Sequence, residues 1–185
     1  IKYFAPNGRV VERLKLYGVK ESNIYLTGFP LPKELIGGSR SQIIKQDLSR
    51  RLRNLDPNKI FITKYDKVIA HHLGRGWKNL DHKHPLTLTF TVGGAGAQRD
   101  LGLVITQSLK PSITTGRIRL NLVAGVRPDV KKFFEQGIKN LGLGKFLNAG
   151  VKVLHASSYP EYFKQFSDTI HTTDILWTKP SELSF

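Results

Sequence analysis

Cysteine and methionine are both absent from the 185 residues. Without cysteine there can be no disulfide, no thiolate metal site and no cysteine nucleophile. That fits a reducing compartment, and a cytoplasmic location is expected, either free or associated with an anionic membrane surface. No apolar run approaches the roughly 20 residues that span a bilayer. The opening Ile1-Lys2-Tyr3-Phe4-Ala5-Pro6 has no signal-peptide pattern. No G-x-x-x-x-G-K-[ST] segment occurs, which excludes a P-loop NTPase, and no G-x-S-x-G occurs, which removes the hydrolase elbow. His71, His72, His82 and His84 lack a carboxylate–histidine spacing on a helix, so no metal site is expected. Acidic residues are scarce: 14, against 29 lysines and arginines.

The resulting net charge of +15 is concentrated early. Residues 1–85 hold 17 basic and 7 acidic side chains, and residues 86–185 hold 12 and 7. Such a surface attracts polyanions: nucleic acid, anionic lipid headgroups or phosphorylated ligands. Apolar residues make up 39% of the chain, enough for a packed core.

The first half reads as helix over Gly8–Tyr17, ended by Gly18, then strand over Asn23–Thr27. Gly28, Pro30 and Pro32 break regular structure. A helix is expected over Ser39–Leu55, capped by Ser39 or Ser41 and stopped by Pro57. Ile44, Leu48, Leu52 and Leu55 give it an apolar stripe. Arg50, Arg51 and Arg53 surround its last turn and are candidates for contact with an anionic surface. Residues 73–85 read as a linker, with the domain boundary at residue 85.

From Leu86 the pattern becomes regular. Strands are predicted at Leu86–Val92, Ile118–Val123, Val151–Leu154 and Asp174–Trp177. Helices are predicted at Ala97–Leu109 (stopped by Pro111), Pro128–Asn140 and Pro160–His171, with another beginning at 181–185. Such alternation means a parallel sheet with helices on its faces. The expected class is a Rossmann-like, doubly wound α/β fold with an N-terminal helical and linker appendage. Lacking an initial Met and stopping in mid-pattern, the chain is expected to be a fragment of a larger protein.

The first candidate site is Gly93-Gly94-Ala95-Gly96-Ala97-Gln98, between a strand and a helix. Glycines allow the backbone to approach a ligand, and the helix start offers N–H groups to a phosphate. Arg99 stands where a dinucleotide fingerprint needs its third glycine. The strand ending Asn121-Leu122-Val123-Ala124-Gly125 lacks the acidic residue that holds an adenosine ribose. An NAD or FAD enzyme is therefore not expected. The second candidate is Thr178-Lys179-Pro180-Ser181-Glu182, after the fourth strand: Lys179 pairs with phosphate, Ser181 caps or donates, and Glu182 accepts from ribose hydroxyls. His155, ending the third strand, is placed to reach a base or phosphate. No catalytic residue is assigned.

Three segments resemble GT-B-type glycosyltransferases. Tyr17 to Pro30, with Gly28-Phe29-Pro30, resembles the end of their N-terminal domain. Leu86 to Gln98 resembles the first strand and glycine loop of their donor-binding domain, and Asp174 to Pro180 a later strand and loop. Within that class the segments resemble those of monogalactosyldiacylglycerol synthases and the peptidoglycan N-acetylglucosaminyltransferase. The resemblance implies a GT-B half whose partner is a nucleotide-sugar, possibly UDP-linked, bound as a substrate with no cofactor. It implies Gly93, Gly94, Gly96 and Gln98 facing the diphosphate and Thr178 to Glu182 near the donor. Glu182 sits in a shorter loop than in those relatives. Most of the acceptor domain is missing, so this stretch alone is not expected to be a competent enzyme. Two alternatives stand beside this reading: a nucleotide-sugar epimerase of the same fold, and a basic nucleic-acid-binding module without catalysis. No recognised nucleic-acid-binding motif supports the latter.

Overall fold

The computed structural model describes residues 1–29, 41–79, 84–92, 96 and 98–178. Its contacts divide the chain into two compact units, Ile1–Ile44 and Lys45–Phe185.

The first unit is a small β-α-β turn of chain. Strand β1 (Tyr3–Ala5) lies parallel to β2 (Ile24–Leu26), with Ala5 opposite Leu26. Helix α1 (Gly8–Leu16) makes the crossover. The Asn7 side chain caps it by accepting the Val10 N–H at 3.0 Å. Gly18, at φ +81°, reverses the chain behind it. Ala5 is fully buried, and Phe4 meets Tyr25 with ring centres 5.7 Å apart.

Helix α2 (Gln42–Leu55), most of it in the second unit, is followed by α3 (Ile60–Lys64) and α4 (Asp66–Leu73). The Asp56 carboxylate accepts the N–H groups of Ile60 and Ile62, at 3.0 and 2.8 Å, and so starts α3. A 3₁₀ turn at Trp77–Asn79 lies within the stretch expected to be linker. The alternating region then supplies β3 (Leu86–Thr91), α5 (Arg99–Thr114), β4 (Ile118–Gly125), α6 (Pro128–Asn140), β5 (Val151–His155), α7 (Tyr159–His171) and β6 (Ile175–Trp177). All four strands are parallel, in the order β5-β4-β3-β6. The protein is thus a mixed α/β structure of Rossmann-like type.

The two faces of the sheet differ in chemistry. Leu88 and Phe90 of β3, with Leu120, Leu122 and Ala124 of β4, pack against Ile105 and Ile113 of α5 and Val130, Phe134 and Ile138 of α6. Alternation sends Thr87, Thr89 and Asn121 to the other face. There Thr89 meets the Thr173 hydroxyl at 2.7 Å and accepts from the Asn121 amide at 3.0 Å. Thr173 follows α7, so helices cover both faces. The helices α5 and α6 approach closely because each carries a glycine where the other has a large side chain. A Cβ on Gly102 would stand 2.7 Å from Phe134 Cε1, and one on Gly137 would collide with Leu103.

Two expectations are overturned. Helix α5 does not stop at Leu109: it runs through Pro111 to Thr114. Proline removes one hydrogen bond, but Ile113, 1% exposed in the core, holds the last turn in place. Nor is the apolar stripe of α2 its buried side. Ile44, Leu48 and Leu55 are 40–49% exposed, whereas Asp47 and Ser49 are buried. Asp47 is held by Arg50 and by His171 Nδ1 at 2.8 Å, so the inward face is polar and paired. Ser41 takes a left-handed backbone, φ 51°, at the start of this helix. Pro30, Pro32, Ser39, His82 and the expected helix at 181–185 lie outside the described residues.

Candidate functional site

Strand order decides where a ligand crevice forms. In β5-β4-β3-β6 the connections from β3 run first to one side, through β4 and β5, and then cross to the other side, to β6. The reversal lies between β3 and β6, and in open α/β sheets the crevice opens beyond the carboxyl ends of such a pair. Phe90 pairs with Trp177 at this end. The glycine-rich segment follows β3, and Thr178 follows β6. Gly93, Gly94, Ala95, Lys179, Ser181 and Glu182 lie outside the described residues; Gly96, Gln98, His155 and Thr178 lie within them.

Gly96 is at φ +73°, a conformation that disfavours side chains, and space excludes one as well. A Cβ there would stand 3.0 Å from Val130 Cγ2 and 3.8 Å from Arg127 Nε. Gln98 precedes α5 in the left-handed region, φ 66°, and its side chain makes no capping hydrogen bond to the helix. The first turn of α5 thus begins without the Ser, Asp or Asn oxygen that ordinarily neutralises N–H groups there.

Arg127, absent from the sequence-based candidates, lies beside Gly96. It ends the β4–α6 connection, directly before Pro128. Its guanidinium donates to both Asp129 oxygens, Nε to Oδ1 and Nη2 to Oδ2, each at 3.2 Å. Those hydrogen bonds raise the Arg127 pKa and hold the Asp129 carboxyl below its ordinary range. Asp129 also lies 3.5 Å from Arg99, whose guanidinium sits 4.6 Å over the Phe133 ring. Two arginines therefore share one carboxylate, leaving net positive charge beside the loop. Position two residues beyond Gly125, after the second strand of the alternating region, was the available signal.

His155 shares this edge but not the reversal. It pairs with Gly125, on the far side of β4 from β3, so roughly 10 Å separates its strand from β3. Its Nε2 is buried with no hydrogen-bond partner among the described residues. The arginines of α2 face elsewhere. Arg51 donates to the Thr173 and Ile170 carbonyl oxygens, at 2.7 and 2.9 Å, and Arg50 pairs with Asp47. Arg51 is thus spent on the carboxyl end of α7, where helix carbonyls favour a cation. Arg53 lines a cleft of about 600 Å³ with Asp56, Lys59 and Lys78.

His84 and Asp174, also missed, sit at the opposite, amino ends of the strands. Asp174 Oδ2 accepts from the Thr87 N–H at 2.8 Å and from Asn54 Nδ2 at 2.9 Å, with His84 Nδ1 3.7 Å away. This cluster joins α2 to the sheet. Among the described residues no helix is long and apolar enough to cross a membrane.

Fold and crevice together define a Rossmann-like α/β protein with a glycine-bearing β3–α5 loop at its reversal. Comparison with protein-family models, with curated proteins and with solved structures gives no significant match for the chain.

Proposed function

We propose that the protein is glycosyltransferase-like and binds a nucleotide-diphosphate sugar at the carboxyl ends of β3 and β6. The observation that carries this reading is the strand order: the two segments that resemble the donor loops of GT-B enzymes follow the two strands flanking the reversal. Backbone amides of Gly93 to Gln98 and the start of α5 receive the diphosphate, and Arg127 adds charge beside Gly96. Thr178, Lys179, Ser181 and Glu182 contact the nucleoside and sugar, and His155 flanks the far end. In transfer, the anomeric carbon exchanges its bond to the diphosphate oxygen for one to an acceptor oxygen. The loop amides and helix dipole stabilise the charge left on the departing diphosphate. The acceptor is left unassigned.

The inward engagement of Arg50 and Arg51 weakens the alternative of an arginine-rich nucleic-acid helix. Calorimetry of the full chain against UDP-, GDP- and TDP-sugars tests the proposal. Saturable binding of one class, strongest for UDP-sugars, is expected; a flat response across the panel refutes it.

A further inference from the structure

A second concavity lies at the amino ends of the strands, on the polar face of the sheet. This groove, of about 580 Å³, falls within the usual range for small-ligand sites. Its floor is made by register. Thr87 pairs with Arg119, Thr89 with Asn121, and Asn121 with Lys152, so Arg119, Asn121 and Lys152 share one face of β4 and β5. Helix α7 supplies the facing wall through Asp168 and Thr172. Asn148, before β5, closes one end in a left-handed conformation, φ 66°.

The charges in this groove are unused. Arg119, Lys152 and Asp168 make no ion pair among the described residues. Arg119 and Lys152 are diagonal neighbours on adjacent strands, their roots about 8 Å apart from strand spacing and rise. Both side chains line the same groove. A guanidinium and an ammonium beside one another suit the oxygens of a phosphate, which accept charge-assisted hydrogen bonds from both. The opposite wall has the other character: a carboxylate, a hydroxyl and a side-chain amide, which suit ligand hydroxyl groups.

We propose that this groove is a ligand site for a small hydroxylated phosphomonoester, with its phosphate between Arg119 and Lys152 and its hydroxyls toward Asp168, Thr172 and Asn148. The site is independent of the nucleotide-sugar reading, because it occupies the opposite edge of the sheet.

Calorimetry of the full chain with glucose 6-phosphate, and with glucose and inorganic phosphate as controls, tests it. Glucose 6-phosphate binds one to one and more tightly than either control. Arg119→Gln and Lys152→Gln each weaken that binding about tenfold or more, with unchanged thermal melting, since both side chains are exposed. UDP-glucose does not compete. No binding by the wild type, wild-type affinity in both variants, inorganic phosphate binding as tightly as the ester, or competition by UDP-glucose would each overturn the proposal. If either variant fails to fold, nitrogen-15 spectra of the wild type decide. The Asn121 and Asn148 side-chain amides shift on adding glucose 6-phosphate, and unmoved signals reject the site.

Discussion

Thr87 and Asp174 bond to each other twice: the Thr87 N–H donates to Asp174 Oδ2 at 2.8 Å, and the Asp174 N–H donates to the Thr87 carbonyl at 2.9 Å. Strand β6 is only three residues long and lies at the sheet edge. The double bond fixes its register on β3 before the ladder begins, and so fixes which residues meet at the crevice. Asp174→Ala leaves the buried Thr87 N–H without its acceptor and is expected to cost about 1–3 kcal/mol. Asp174→Asn keeps an acceptor oxygen and costs less. Thermal melting measures both; an alanine variant as stable as the wild type would show that the ladder alone sets the register.

Gly102→Ala pits helix propensity against packing. Alanine gains about 1 kcal/mol over glycine in a helix interior. Its methyl, however, would sit 2.7 Å from Phe134 Cε1 and 3.3 Å from Phe90 Cδ1, both in buried rings. Overpacking costs about 1–3 kcal/mol, so net destabilisation is expected. Adding Phe134→Leu to the alanine variant should recover part of the loss, measured by denaturant titration. Strict additivity of the two substitutions would contradict the contact.

Glu161 gives a pH signature. Its carboxylate accepts from the Ser157 hydroxyl at 2.9 Å and the Ser157 N–H at 3.1 Å, while Ser158 caps α7. The hydroxyl bond is the larger cause of its lowered pKa. A carboxylate depressed on folding contributes stability above its unfolded pKa, and that contribution disappears as pH falls through the folded value. Glu161→Gln is therefore less stable than the wild type near pH 7, and the gap closes as pH falls through the folded value, below the ordinary carboxylate range. A gap that stays constant with pH would assign the effect to the cap geometry and not to the charge.

Arg127 separates the two proposed sites. Arg127→Ala is expected to weaken UDP-sugar binding about tenfold, as removal of one charge-assisted phosphate contact does. Arg119→Gln leaves that binding unchanged. Equal affinities for wild type and Arg127→Ala would place the diphosphate away from Gly96.

Much of the second unit was legible because its signals are local. Strands with β-branched residues alternate with helices of apolar period, and Pro128 marks a helix start by its own geometry. What escaped was non-local or too short. Three-residue β1 has no period to detect, and the exposed turns of α3 and α4 carry no continuous apolar face. Helix α2 misled because apolar period was read as burial, whereas Asp47 is buried through His171, an interaction 124 positions away in sequence. Arg127 carries no motif of its own, because its place beside Gly96 is set by the fold. The segments after β3 and β6 were legible as composition, but only the strand order shows that those two strands are neighbours.

The mutual notching of Gly102 with Phe134 and Gly137 with Leu103 also governs motion. Sliding either helix along its neighbour would drive a ring or a branched chain into bare backbone, so α5 and α6 travel as one block. Arg127 and Gln98 are mounted at the starts of these two helices, so the same notching sets the spacing between them.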